Sequence, residues 1–297
     1  MNAKPKILVI LGPTAVGKSD MAVSLAKKFN GEIISADSRQ VFKGMDIGTG
    51  KITEKEMLGV KHYLLDIIDP MTKFNVAKYK KLVDKIILEI IGKGKLPIIC
   101  GGTGFYIQAV VDNVIFPDVK PNEKLRALLE KYTTEKLLKT LEKLDEKRFK
   151  TIDQNNRVRI IRAIEIAKSL GSVPKIVSDS KYNVLQIGIT APDEVLRDRI
   201  YKRLIRRMNG GMVNEIKKLH KNGMSWKRME QLGLEYRYLS RFLTGKYSKA
   251  EMLEKLNSEI WQFARRQKSW FRRDNRIRWY KLEEQKKIEK EIKKFAK

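Results

Sequence analysis

The chain is poor in the residues that build redox and metal centres. Among its 297 residues there is one cysteine, Cys100, and there are two histidines, His62 and His220. One cysteine excludes an internal disulfide framework and a Cys₄ or Cys₂His₂ zinc site, and two histidines exclude a multi-histidine metal centre. Long apolar runs are missing as well. No stretch approaches the roughly 18 apolar residues of a transmembrane helix, and the N-terminus lacks the apolar core and cleavage pattern of a signal peptide. A cytoplasmic location is therefore expected. Acidic side chains are scarce beside basic ones, 35 Asp+Glu against 63 Lys+Arg, and the formal net charge of +28 exceeds what solubility requires. Such an excess points to a polyanionic partner, nucleic acid first, although a generally lysine-rich surface would account for part of it. The remainder, 42% hydrophobic and 33% charged, is a globular composition long enough for one large or two modest domains.

The strongest positive signal is Gly12-Pro13-Thr14-Ala15-Val16-Gly17-Lys18-Ser19, a match to the phosphate loop G-x-x-x-x-G-K-[ST]. It follows the apolar stretch Ile7 to Leu11 and precedes a helical pattern with Met21, Ala22, Leu25, Ala26 and Phe29 on its apolar face. In that context glycines bring backbone N–H groups close to phosphate oxygens and the helix N-terminus adds partial positive charge. Lys18 supplies a full charge, and the Ser19 hydroxyl a ligand for Mg²⁺. The loop alone leaves open which phosphate compound it holds.

From Met1 to about Phe116 apolar strands alternate with helical patterns: Lys6 to Leu11, Glu32 to Ala36, a helix from Val76 to Ile91 ended by Gly92 and Gly94, then Leu96 to Cys100. This alternation predicts a P-loop NTPase-like parallel sheet flanked by helices, with ligands at the carboxyl ends of its strands. Thr14, Asp37 and Thr103 lie just beyond three such ends and are expected to converge. Residues 117–180 read as an all-helical insertion, with helices over Glu123 to Lys131, Glu135 to Leu144 and Arg157 to Ser169, the last capped by Asp153, Asn155 or Asn156. The sheet resumes at Leu185 to Thr190, so the core is discontinuous, 1–116 with 181–297. After Pro192-Asp193 the pattern is helical to the end, apart from breaks near Gly210-Gly211, Gly223 and Gly245.

Nucleotide hydrolysis or phosphoryl transfer normally needs an acid at the end of a later strand. Here the strand Leu96 to Cys100 ends in Gly101-Gly102-Thr103, which offers N–H groups and a hydroxyl. The acid is Asp37, in Asp37-Ser38-Arg39-Gln40, either a general base beside the phosphate site or the cap of a surface turn. Arg199, Arg203 and Arg207, at i, i+4 and i+8, share one helix face. That face either reaches the phosphate or is solvated. Two further basic concentrations are Arg157 to Arg162, and Arg265 to Arg273 with Trp270 and Phe271 interleaved. They suit a nucleic-acid backbone and its bases, although the aromatics fit an amphipathic core equally well.

Taken in order, these pieces resemble the tRNA dimethylallyltransferases, or tRNA isopentenyltransferases, of bacterial type. The resemblance rests on Gly12 to Ser19, Asp37 to Gln40, Lys43 to Thr49, His62 with Leu65 to Pro70, Gly101 to Tyr106, Arg159 to Glu165, and Arg265 to Phe271, which together span nearly the whole chain. It implies transfer of a dimethylallyl group from dimethylallyl diphosphate to N6 of the adenosine immediately 3′ of the anticodon. Gly12 to Ser19 would hold the diphosphate with Mg²⁺ at Ser19. Asp37 would be the base, and Arg203 with Thr103 would stabilise the leaving diphosphate. Because a stacked base is unreachable, the adenosine would be turned out, held by Asp37, Ser38, Arg39 and Gln40. The resemblance also implies tRNA contacts at Thr103, Arg126, Val158, Arg159, Ile160, Ile161 and Arg162, and at Gln262, Arg265, Arg266 and Gln267. A monomer is expected. Departures from the commoner pattern are Val41-Phe42, Asn156, and Gln231 to Tyr236. The rival readings are a P-loop kinase, a prenyltransferase of free adenine nucleotides, and a non-catalytic RNA-binding module.

Overall fold

Apolar runs rich in Ile and Val form the four longer strands of one six-stranded sheet, and two short strands complete it. The six are β1 (Lys6–Leu11), β2 (Gly31–Ala36), β3 (His62–Tyr63), β4 (Leu96–Gly101), β5 (Asn183–Ile189) and β6 (Ile277–Tyr280), in the spatial order β3-β2-β4-β1-β5-β6. Every pairing is parallel. The computed structural model describes residues 4–174 and 180–296; the stretch 175–179, where the expected insertion ends, and residue 297 lie outside the described residues.

The central strand β1 is buried on both faces, which is why it reads as an unbroken apolar run. Ile7, Val9 and Leu11 pack beneath Tyr79, Val83, Ile87 and Ile90 of the helix Val76–Gly92. Leu8 and Ile10 face the opposite cluster, with Leu25 of the helix Lys18–Lys28 and Leu196, Ile200 and Leu204 of the helix Asp193–Asn209. Because β4 lies between β1 and β2, the loops leaving all three strands emerge side by side. The phosphate loop, Asp37 and Thr103 are carried on those loops.

The tail departs from the expected all-helical reading. β6 interrupts it and pairs with β5 from Gln186↔Ile277 to Ile189↔Tyr280 at the sheet edge. Four residues, Ile-Arg-Trp-Tyr, are too few to declare a period of two, and the sheet supplies what local propensity does not. The tail aromatics are packing residues: Phe271 is 3% exposed, and Trp270, Trp279 and Tyr280 lie against the two clusters that cover the sheet. Of the two readings of Trp270 and Phe271, this packing matches the amphipathic core.

The chain divides into two compact units, one made of Met1–Asn113 and Ser180–Lys297, the other of Val114–Asp179. The second gathers Leu129, Leu137, Leu141, Ile160 and Ile164 into its own core. Its helices are Glu123–Glu130, Thr134–Leu144, Glu146–Thr151 and Arg157–Leu170, and the side chains of Asn122, Thr133, Asp145 and Asn156 cap them in turn. Asn156, one of the three candidate caps, accepts from the Arg159 amide. The six-residue helix Glu146–Thr151 is too short to show helical periodicity in the sequence.

Candidate active site

The phosphate loop folds as its glycines require. Gly17, at φ 98, caps the helix Lys18–Lys28 in the left-handed region, and a Cβ there would stand 2.8 Å from Leu282. The backbone turns at Thr14–Ala15 and enters the helix at Lys18, so the N–H groups of Lys18 and Ser19 stand in the first helical turn, where no helical carbonyl precedes them. The Thr14 N–H differs from the expected cradle: it donates to Gln267 Oε1 at 2.8 Å, and Gln267 Nε2 donates to the Gly102 carbonyl at 2.8 Å. Gln267, 7% exposed, thus ties the phosphate loop to the loop after β4, and both ends of its carboxamide are used within the protein.

Cations crowd the outer side of the loop. Lys18 Nζ donates to the Pro13 carbonyl at 2.7 Å, and burial, with Arg203 nearby, lowers its pKa to about 8. Arg203 reaches Thr14 Oγ1 and the Gly50 carbonyl, both at 3.4 Å; burial and the neighbouring Arg207 bring it down to about 10. Arg199 reaches the Val16 carbonyl at 3.3 Å, and Arg207 pairs with Glu235 at 2.9 Å. The helix face i, i+4, i+8 is therefore turned inward, and the solvated alternative falls. Burial disfavours the charge of Lys18 and of Arg203, and Arg203 and Arg199 are held only by hydrogen bonds of 3.3–3.4 Å, an arrangement suited to meeting an anion. The cavity here has a volume of about 510 Å³, and Lys18, Ser19, Arg199, Arg203 and Arg206 line it.

A second cavity, about 350 Å³, opens on the other side of the loop, lined by Thr14, Asp37, Arg39, Thr103, Phe263 and Arg266, among others. Arg207 borders both. Asp37 Oδ1 accepts the amides of Arg39 at 2.8 Å and Gln40 at 3.4 Å, whereas Oδ2 has no protein donor among the described residues. The turn and the base are thus compatible readings of one carboxylate. Thr103 Oγ1 accepts the Ser38 amide at 3.1 Å, so its own proton is available to donate. Ser38 also borders this cavity, while Gln40 acts behind it and donates to the Gly50 carbonyl at 3.3 Å.

Comparison with known proteins places this architecture. The family model described as IPP transferase matches residues 40–274. The chain belongs to that family. It is 42% identical to the tRNA dimethylallyltransferase of Acetivibrio thermocellus, over 97% of this chain and 95% of that one. To tRNA dimethylallyltransferase 1 of Geotalea uraniireducens it is 41% identical, over 91% and 89%. Among solved structures, the full-length tRNA isopentenylpyrophosphate transferase of Bacillus halodurans superposes with a TM-score of 0.74 at 36% identity, covering 99% of this chain and 98% of that one. A eukaryotic dimethylallyltransferase acting on tRNA superposes with a TM-score of 0.80 at 26% identity, covering 93% and 74%. The P-loop NTPase-like sheet with flanking helices agrees with these neighbours.

In the helical unit this IPP transferase family member holds Arg126 and Arg162 on one carboxylate. Glu165, 2% exposed, accepts from Arg126 at 2.8 and 3.0 Å, from the Asn122 amide at 2.5 Å, and from Arg162. Burial alone would push Glu165 up, and these donors together hold it below the usual carboxylate range. Val158 is 78% exposed, and Arg159 is exposed and lies 3.8 Å from Asp153. Ile160 and Ile161, 0% and 8% exposed, place their side chains in the core, so what they can offer a tRNA is backbone. Gln262, Arg265 and Arg266 are exposed along the helix Lys249–Phe271.

Sequence reasoning missed Gly50, Glu215 and Arg237. Arg237 lines the second cavity, while Gly50 and Glu215 order the wall between the two. No local spacing marks them, because Glu215 sits in an ordinary amphipathic helix and Arg237 in another.

Proposed function

We propose that the protein transfers a dimethylallyl group from dimethylallyl diphosphate to N6 of the adenosine immediately 3′ of the anticodon in tRNA. The observation that carries this reading is a pair of cavities meeting at one loop, cation-lined on one side and carrying an unpartnered carboxylate oxygen on the other. The diphosphate sits among Lys18, Arg199 and Arg203 with its allylic carbon toward the second cavity, where the turned-out adenosine lies against Asp37 and Arg39. N6 attacks that carbon and forms the carbon–nitrogen bond. The carbon–oxygen bond breaks, its electron pair leaves with the diphosphate, and the N6 proton passes to Asp37 Oδ2. Charge growing on the leaving group is met by Lys18 and Arg203, and Thr103 donates from the side of Asp37.

Mg²⁺ suits the donor set. No group of three or more His, Cys, Asp or Glu side chains among the described residues could cage a metal, and Mg²⁺ characteristically takes few protein ligands beside substrate phosphates and water. Ser19 would hold it through its hydroxyl, and the ion would add charge neutralisation at the diphosphate. Arg126, Arg159 and Arg162 of the helical unit, with Arg265 and Arg266 of the other, are proposed to grip the anticodon stem-loop of tRNA, which a monomer can bind. Among the described residues no helix is long and apolar enough to cross a membrane.

The deciding experiment is incubation with dimethylallyl diphosphate, Mg²⁺ and unmodified tRNA, followed by mass analysis of the nucleosides. N6-isopentenyladenosine next to the anticodon is the expected product. Prenylation of AMP with none of tRNA, or phosphate transfer from ATP, would overturn the reading.

A further inference from the structure

Glu215 projects from the helix Met212–Lys221 into a loop far from it in sequence. One carboxylate oxygen, Oε2, accepts the amides of Asp46 at 3.0 Å and Ile47 at 2.6 Å. The other, Oε1, accepts the amide of Gly48 at 3.0 Å and the Tyr236 hydroxyl at 2.6 Å. Three successive peptide N–H groups converging on one anion form a nest, and here the protein fills it with its own carboxylate. The loop so gathered is closed by Gly50 N–H donating to the Ile47 carbonyl at 3.0 Å and Lys51 N–H to the Asp46 carbonyl at 2.9 Å. Tyr236, 1% exposed, closes the arrangement from the far side, and a Cβ on Gly48 would stand 2.6 Å from its ring.

This loop is the wall between the two cavities. Asp46, Ile47, Gly50 and Lys51 line the first, Gly48 and Thr49 the second, and Glu215 lines neither. Its exit is the Gly50 carbonyl, which receives both Arg203 Nη2 and Gln40 Nε2. Gly50 sits at φ 60, and a Cβ there would lie 2.1 Å from Arg203 Nη2 and 1.8 Å from Arg207 Nη2. The backbone at this point is shaped to the two guanidinium groups.

We propose that Glu215 is a positioning residue for the transfer: its carboxylate fixes the Asp46–Gly50 backbone as the partition between donor and acceptor, and through the Gly50 carbonyl it aims Arg203 at the departing diphosphate. This rests on the reading of the site given above. A carboxylate is needed because four donors meet it. An amide of the same shape accepts through one oxygen only and, in either orientation, turns N–H donors toward at least one peptide N–H that cannot accept.

The test is prenyl transfer at saturating donor and tRNA, with tRNA affinity measured alongside, for Glu215→Gln, Arg203→Ala and the double variant. Glu215→Gln is expected to lower the rate at least about tenfold, as a misaimed catalytic group does, with tRNA affinity within about twofold of wild type. In the Arg203→Ala background the same change should cost clearly less, since the group it aims is gone and only the partition is left to disturb. A wild-type rate for Glu215→Gln, or an equal loss in both backgrounds, overturns the proposal. If Glu215→Gln does not fold, Gly50→Ala displaces the same guanidinium groups without touching the carboxylate, and Tyr236→Phe removes one of the four donors. Both should slow transfer with tRNA affinity kept, and wild-type rates for both overturn the proposal. A wild type inactive on tRNA sinks the reading of the site itself, whereas an active wild type indifferent to Glu215→Gln sinks only the positioning role.

Discussion

Replacing Lys18 by methionine should stabilise the protein while abolishing its hold on diphosphate. Burial brings the Lys18 ammonium from 10.5 down to about 8. A depression of that size corresponds to about 3 kcal/mol of penalty against the charged form in the folded state. The sign follows from proton counting. Between about pH 8 and 10.5 the unfolded chain holds a proton at this position that the folded chain has lost, so stability rises with pH across that window. Below about pH 8 the penalty is fully present. Methionine keeps most of the volume and removes the charge, while the Pro13 carbonyl loses its donor at a cost of about 1 kcal/mol. The net expectation is a gain of about 1–2 kcal/mol at pH 7 that shrinks toward zero or reverses by pH 10.5. Urea unfolding of wild type and Lys18→Met at the two pH values measures it, and comparing the two proteins cancels the titration of the other lysines. Inorganic pyrophosphate should raise the stability of wild type and leave the variant unmoved, because only a ligand of the folded state shifts the equilibrium. A variant less stable than wild type at pH 7, or a difference that does not change with pH, would refute the account of an unneutralised cation held ready for an anion.

Asp37→Asn should lose turnover by at least about a hundredfold, the scale of a missing general base, while tRNA affinity holds; a parallel collapse of binding in a filter assay would mean that Asp37 is structural. Arg159→Ala and Arg266→Ala should each weaken tRNA binding and reduce the dependence of log affinity on log salt by about one unit, and an unchanged salt slope counts against a phosphate contact. Gln267→Leu leaves the Thr14 N–H and Gly102 carbonyl without partners in a buried place, so thermal unfolding should reveal a loss of about 1–3 kcal/mol together with slower transfer. Glu165→Gln should loosen the helical unit, detected as faster proteolysis within 114–174 at pH 7, with pyrophosphate binding unchanged. In wild type the contribution of Glu165 is complete above the ordinary carboxylate range and is lost as pH falls through its lowered folded value.

The elements legible in the sequence were those whose signal is local and long. β1, β2, β4 and β5 announce themselves because strands covered on both faces are continuous apolar runs, and the helix Val76–Gly92 carries several turns of apolar spacing. β3 has two residues and β6 has four, and each exists because a longer strand beside it offers unpaired backbone groups. Their cause lies in a neighbour and not in their own residues. The tail aromatics were ambiguous for the same reason. Whether Phe271 meets solvent or a sheet is decided by β6 folding back, which no window around Phe271 contains.

The candidate site divides along the same line. Residues proposed to bear on the diphosphate come from one continuous motif and from one helix face: the motif's spacing nominated Lys18 and Ser19, whereas spacing left the helix face open and the family resemblance singled out Arg203. What holds those residues in register comes from far along the chain. Gln267 closes on Thr14 across 253 positions, and Glu215 closes on Gly48 across 167. Both are polar side chains in amphipathic helices, where an uncharged or acidic residue on the half-buried flank is unremarked, and both are spent mainly on loop backbone groups, Glu215 taking one side-chain donor, the Tyr236 hydroxyl, beside its three amides. A glutamine that accepts one N–H and donates to one carbonyl, and a carboxylate that takes three N–H groups, leave no pattern of paired charges for sequence reading to find. Their proposed effect is nevertheless on the chemistry, because a loop binds an anion in one geometry only if its remaining backbone groups are already committed. In the proposed mechanism local sequence names the groups that touch substrate, and the long-range hydrogen bonds of Gln267 and Glu215 aim them.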